Sequence, residues 1–173
     1  MSQRDIEYTL NRWLVDSKDA DDLPYPIHFN WEQIRHGAKP PYYSVAHFLV
    51  SLNGDWQANR SGVSYRGQRY RGIMEVSVWA NRDSNNEWNY QIKLMSSAFT
   101  DIVVRDLQIP MREAPTEPDP DQHMGPVITD GRAAMIRFGS VTSQESTIDK
   151  DIPNIMRRRM LLDYDTELMI QSA

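Results

Sequence analysis

The chain has 173 residues, of which 40% are hydrophobic and 25% charged, and it carries a formal net charge of -5. That length suits a single globular domain spanning 1–173 with a core of its own, and the acidic balance argues against binding nucleic acid through overall charge. The absence of cysteine excludes disulfides and thiolate chemistry; with no apolar signal core and no run long enough to cross a bilayer, the chain reads as a soluble product of a cytosol, with no membrane partner.

Ile6, Leu10, Trp13 and Leu14 recur at helical spacing and predict a first helix over about Arg4 to Ser17. Acid gathers from Asp16 to Asp22, and Pro24 and Pro26 then force extended backbone. Ile27 to Trp31 is a short edge strand or an ordered loop. Pro40-Pro41 leads into a strand whose two faces, Ala46/Phe48/Val50/Leu52 and Tyr43/Val45/His47/Leu49, are both largely apolar. Such a strand is expected to be central and covered on both sides. After a turn at Asn53-Gly54-Asp55, the polar stretch from Trp56 to Gly67 reads as a long, mobile hairpin arm.

From Tyr70 to Ala80, Tyr70, Met74, Val76 and Val78 alternate with Arg71, Glu75 and Ser77, as a half-buried strand requires. Ser84 and Glu87 have capping-box spacing, and Trp88, Ile92, Met95, Phe99, Ile102 and Val103 follow at helical intervals. Leu107 to Ile109 resumes the sheet. Residues 110–126 form an acidic, proline-rich excursion, densest at Glu113 to Asp121, which cannot bury anything. Val127 to Thr129, Asp130-Gly131 and Ala133 to Phe138 read as a hairpin. In the last strand Met156, Arg158, Met160, Leu162, Tyr164 and Leu168 alternate with Arg157, Arg159, Asp163, Asp165 and Glu167. The order predicts an α+β fold, an antiparallel or mixed sheet with two main helices packed on one face, plus a long hairpin arm and a loop.

Chemistry is sparse. His28, His36, His47 and His123 lack metal-ligand spacing, and His47 in its strand reads as structural. No phosphate loop and no nucleophile elbow occurs. Asp163 and Asp165 share a strand face with Arg157 and Arg159, which reads as a salt-bridged surface. Asp119-Pro120-Asp121 lacks the glycine and terminal glutamate of a calcium loop. No catalytic group, metal or cofactor is expected, so the chain does not read as an enzyme. One charged constellation remains. Arg60, Arg66, Arg69 and Arg71, interleaved with Tyr65 and Tyr70, have the composition of a subunit contact or, as the lesser reading, of a single-stranded nucleic-acid-binding module.

Taken together, the N-terminal helix, Pro26 to Trp31, Pro40-Pro41-Tyr42-Tyr43 entering a long strand, the hairpin, Arg71-Gly72-Ile73-Met74-Glu75-Val76-Ser77-Val78-Trp79, and the helix just after it resemble the tail terminator (tail completion) proteins of long-tailed bacteriophages. The resemblance covers about Asp5 to Phe99; the region from Glu113 departs from a minimal member. It implies a virion protein, assembled in the bacterial cytoplasm, that forms a homohexameric ring. The ring would end the tail tube at the neck, with the tail tube protein and the head–tail connector protein as partners and no sequence-specific nucleic acid binding. Another connector component or a tail tube subunit is the nearest alternative. Expected contact residues are Arg60, Arg66, Arg69 and Arg71 on the arm, set against Glu117 and Asp119 of the acidic loop.

Overall fold

A computed structural model describes residues 3–29, 37, 39–60, 62–82, 87–116, 127, 134–148 and 154–172. In chain order they form α1 (Gln3–Asp19), β1 (Ile27–His28), β2 (Tyr42–Arg60), β3 (Val63–Asn81), α2 (Glu87–Asp106), β4 (Gln108–Pro110), β5 (Met135–Ser143), β6 (Thr147–Ile148) and β7 (Ile155–Ser172). The fold is α+β: two helices against a mixed, strongly curled sheet of order β1-β2-β3-β7-β5-β4, with β6 beside β7. Among the described strands, only the β1–β2 pairing is parallel.

Alternation assigns each strand residue to a face, and the helices choose between the faces. Ile6, Leu10 and Leu14 of α1 and Ile92, Met95, Phe99, Ile102 and Val103 of α2 share one buried cluster with Met74, Val76 and Val78 of β3, Met160, Leu162 and Tyr164 of β7 and Ile136 of β5. Each fully buried side chain of this kind is worth about 1.5–3 kcal/mol before entropy is subtracted. Trp13 joins the two helices: its ring meets Phe99 edge-on at 6.3 Å, and its Nε1 donates to Asp106 Oδ2 at 2.6 Å. Tyr43 Oη donates to the Met95 carbonyl at 3.0 Å and so ties β2 to α2.

The two helices end differently. At the end of α1, Asp22 N donates to the Ser17 carbonyl and Asp21 N to that of Lys18, the paired bonds of a Schellman cap. Asp21 sits at φ 60° in the position where glycine is usual. At the end of α2, Leu107 takes φ 53° and its N–H bonds the Val103 carbonyl.

Three expectations change. The hairpin arm is present as a regular ladder rather than a loose one, paired from Asp55↔Gln68 to Arg60↔Val63, and β7 runs along its other side out to Ser64↔Ser172. Strand β2 is not central and covered. Its outer neighbour β1 reaches only Tyr43 and Ser44, and on the face away from the helices Ala46 is exposed and Phe48 is 45% exposed. The acidic excursion does bury residues at its start, because α1 offers it partners. Thr9 Oγ1 accepts from Arg112 N, Asp5 Oδ1 accepts from Ala114 N, and Arg4 donates to the Pro115 carbonyl; Met111 and Ala114 are buried.

Residues 117–126 of the excursion, the Ser84 half of the capping box, Asn30 and Trp31, and the Asp130-Gly131 turn lie outside the described residues. Val127, the described residue of that turn's first arm, bridges Arg112. Both edges of β5 are taken instead by β4 and β7.

Candidate functional site

Among the described residues, the sheet face turned away from the helices carries a connected cluster of charged side chains. Its rows follow from strand register: Tyr42, Trp79 and Arg157 lie side by side, then Ser44, Ser77 and Arg159, with Glu75 in the next row. No described helix covers this face, yet Trp79, Ser77 and Glu75 are buried. Their neighbours supply the cover. Trp79 stacks on Tyr42 at 5.7 Å, donates Nε1–H to Ser44 Oγ at 2.8 Å, and carries the Arg157 guanidinium 4.6 Å above its ring. A cation over an indole face is attracted by the ring quadrupole.

Glu75 is the centre of this cluster. Its Oε1 accepts from Arg157 Nη2 at 2.8 Å and from Ser77 Oγ at 3.2 Å. Its Oε2 accepts from both Nε and Nη2 of Arg159. Arg157 Nε donates to Ser77 Oγ at 3.1 Å. The carboxylate side chain is 4% exposed, while those of Arg157 and Arg159 are 24% and 43% exposed. The bonds to Glu75 hold Arg159 still more firmly in its charged form. One buried anion thus fixes two cations, an arrangement that gains through hydrogen bonds what desolvation takes away.

Farther along the same face the charges are matched. Arg137 lies 4.0 Å from Asp165 and 3.9 Å from Glu167; Arg71 is registered opposite Asp165 and Arg69 opposite Glu167. Arg71, Arg137, Gly139, Asp163 and Asp165 border a shallow cleft of about 110 Å³. The salt-bridged surface expected around Asp163 and Asp165 exists, with different partners. Arg157 and Arg159 turn to Glu75 on the neighbouring strand, and Asp165 turns to Arg137.

Of the expected contact residues, Arg69 and Arg71 alone have described side chains. Arg69 and Arg71 are exposed on the helix-free face. The backbone of Arg66 is registered between Gln57 of β2 and Ile170 of β7. Arg60 ends β2 at the hairpin tip. The side chains of Arg60 and Arg66, and all of Glu117 and Asp119, lie outside the described residues. His47 behaves as a structural histidine. Its Nε2 meets Asn11 Oδ1 at 2.8 Å, which makes it the protonated nitrogen, and burial pushes its pKa down. Among the described residues no group of three or more His, Asp or Glu is placed to hold a metal ion.

Glu75, Ser77, Trp79, Arg157 and Arg159 are visible in the sequence as separate residues of two alternating strands. What is missing is the pairing of those strands. A tryptophan on the polar face of β3 and two arginines spaced i, i+2 on β7 are the available signal. Comparison with protein-family models returns no match for this chain, and comparison with curated proteins returns none at a significant level.

Proposed function

We propose that this chain is a structural subunit of a long-tailed bacteriophage, forming a ring, expected to be hexameric, that ends the tail tube and joins the tail to the head connector. The observation that carries this reading is the three-stranded arm. Strands β2, β3 and β7 run on together to Arg60, Val63 and Ser172. Among the described residues, the outer edge of β2 is unpaired from Val45 onward, and that of β7 is unpaired beyond Thr166. Unpaired edges invite pairing with another chain, and a subunit with two unlike adhesive edges makes head-to-tail contacts that close into rings. The order of elements from Asp5 to Phe99 supports the same reading by its resemblance to the tail terminators. The ring would need no catalytic group and no cofactor.

Electron microscopy of particles carrying a labelled copy of this chain tests the proposal. A single ring of label at the head–tail junction is expected, and removal of the gene should give tails of uncontrolled length or tails that fail to join heads. Label repeated along the whole tail would mean a tube subunit. Normal particles without the chain would end the proposal.

A further inference from the structure

The Arg157–Glu75–Arg159 cluster leaves one positive charge over. Both oxygens of Glu75 already accept two or more hydrogen bonds, so the carboxylate has nothing more to offer. Arg159 remains 43% exposed beside it. Every other described cation of that face is registered against an acid, Arg71 and Arg137 against Asp165 and Arg69 against Glu167. The cluster is therefore a hydrogen-bonded, partly exposed cationic site with one charge in excess among the described residues, of the kind that a carboxylate from another chain completes.

The complement lies on the opposite side of the sheet, at the corner where α1 ends. Asp19 and Asp21 are exposed there and have no ion-pair partner among the described residues. Local energetics disfavour them. Acids at a helix C-terminus oppose the macrodipole, and Asp21 occupies a left-handed position that glycine fills without strain. The corner is nonetheless stiff. Asp22 is held by Arg105 at 2.6 Å, Arg105 grips Asp106 at 2.8 Å, and Asp106 accepts from Trp13 of α1.

We propose that Asp19 and Asp21 of one copy seat on Arg157 and Arg159 of the next. The two surfaces are unlike and lie on different sides of one subunit, so the contact is heterologous and generates a ring when its rotation closes. This inference rests on the ring reading and names its contact, in a place different from the hairpin arm and acidic loop.

The test is self-association of the purified full chain by sedimentation velocity, over a range of protein and salt concentrations. Three variants are compared with the wild type: Arg159→Gln, which removes the charge but keeps a donor for Glu75; Asp19→Lys with Asp21→Lys; and all three changes together. The aspartate variants alter exposed, unpaired side chains, so they fold whatever becomes of Arg159. We expect the lysine pair to weaken association on the order of a hundredfold and Arg159→Gln by about tenfold. The triple variant should be no weaker than the lysine pair, since contacting residues are not additive. Unchanged association in the single-surface variants, or losses that simply multiply, would overturn the contact and leave the ring reading standing. A wild-type chain that stays monomeric at high concentration and low salt would overturn both.

Discussion

Gly72 sits in β3 directly opposite Tyr164 of β7, and the tyrosine ring lies over it: a β-carbon there would come 2.3 Å from Oη and 2.5 Å from Cζ. Gly72→Ala must push a buried aromatic ring aside, and we expect it to cost about 1–3 kcal/mol in chemical denaturation. The Tyr164 hydroxyl is buried without a hydrogen-bond partner among the described residues, and burial pushes its pKa up to about 12. Tyr164→Phe should therefore leave stability unchanged or raise it by up to about 1 kcal/mol, and should recover part of the loss in Gly72→Ala. Equal losses from glycine to alanine in both backgrounds would show that the hydroxyl is not what the β-carbon meets. His47 gives a pH dependence. Its folded pKa lies below the ordinary 6.5, first through burial, with Glu7 opposing the shift, so below about pH 6.5 the unfolded chain takes up more protons than the folded one. Stability from this residue is present above pH 6.5 and declines as the pH falls from there toward the folded pKa. Denaturation midpoints of the wild type and His47→Gln at pH 7.5 and 5.5 should show a smaller acid loss in the variant. The glycine was legible in the sequence as part of a strand, but its reason was not, because the tyrosine that needs the space lies on a strand far along the chain.

Periodicity made the helices legible, and α2 most of all: Ile92, Met95, Phe99, Ile102 and Val103 are all buried, as the spacing required. Phe99→Ala should cost about 3–5 kcal/mol, while Lys93→Ala, on the exposed side of the same helix, should stay within about 0.5 kcal/mol. Thermal unfolding of both variants checks the pair, and equal effects would mean that the helix is turned the wrong way. Strand β7 was equally plain from its alternation. Pattern alone misled at β2, because two apolar faces are as compatible with an exposed strand near a sheet edge as with a buried central one. Alternation reports which residues share a face and is silent about what, if anything, covers it. The same limit hid the Glu75 cluster, since β3 and β7 each showed a polar face without any sign that the two faces adjoin.

For the molecule as a whole, an acidic chain in which Arg69 and Arg71 are registered against its own Glu167 and Asp165 is a poor ligand for phosphate. We expect no appreciable binding of single-stranded DNA at physiological salt. Fluorescence anisotropy across a salt series checks this, and tight binding that weakens steeply with salt and is lost on mutating Arg66 and Arg69 would reverse the ranking of the two readings. The long β3–β7 ladder also sets an order of events in time. Its partners, from Asn81 with Ile155 to Ser64 with Ser172, are about 70 to 110 residues apart, and such distant pairings form slowly. On the ribosome, the β2–β3 hairpin and both helices emerge while the middle strand of the arm still lacks its second neighbour. Arg157 and Arg159 have not yet been made, so Glu75 has neither of its cations. Under the proposed ring contact, a nascent chain would be unable to join an assembly through that face, and competence to assemble would arrive with the strand that completes the β3–β7 ladder.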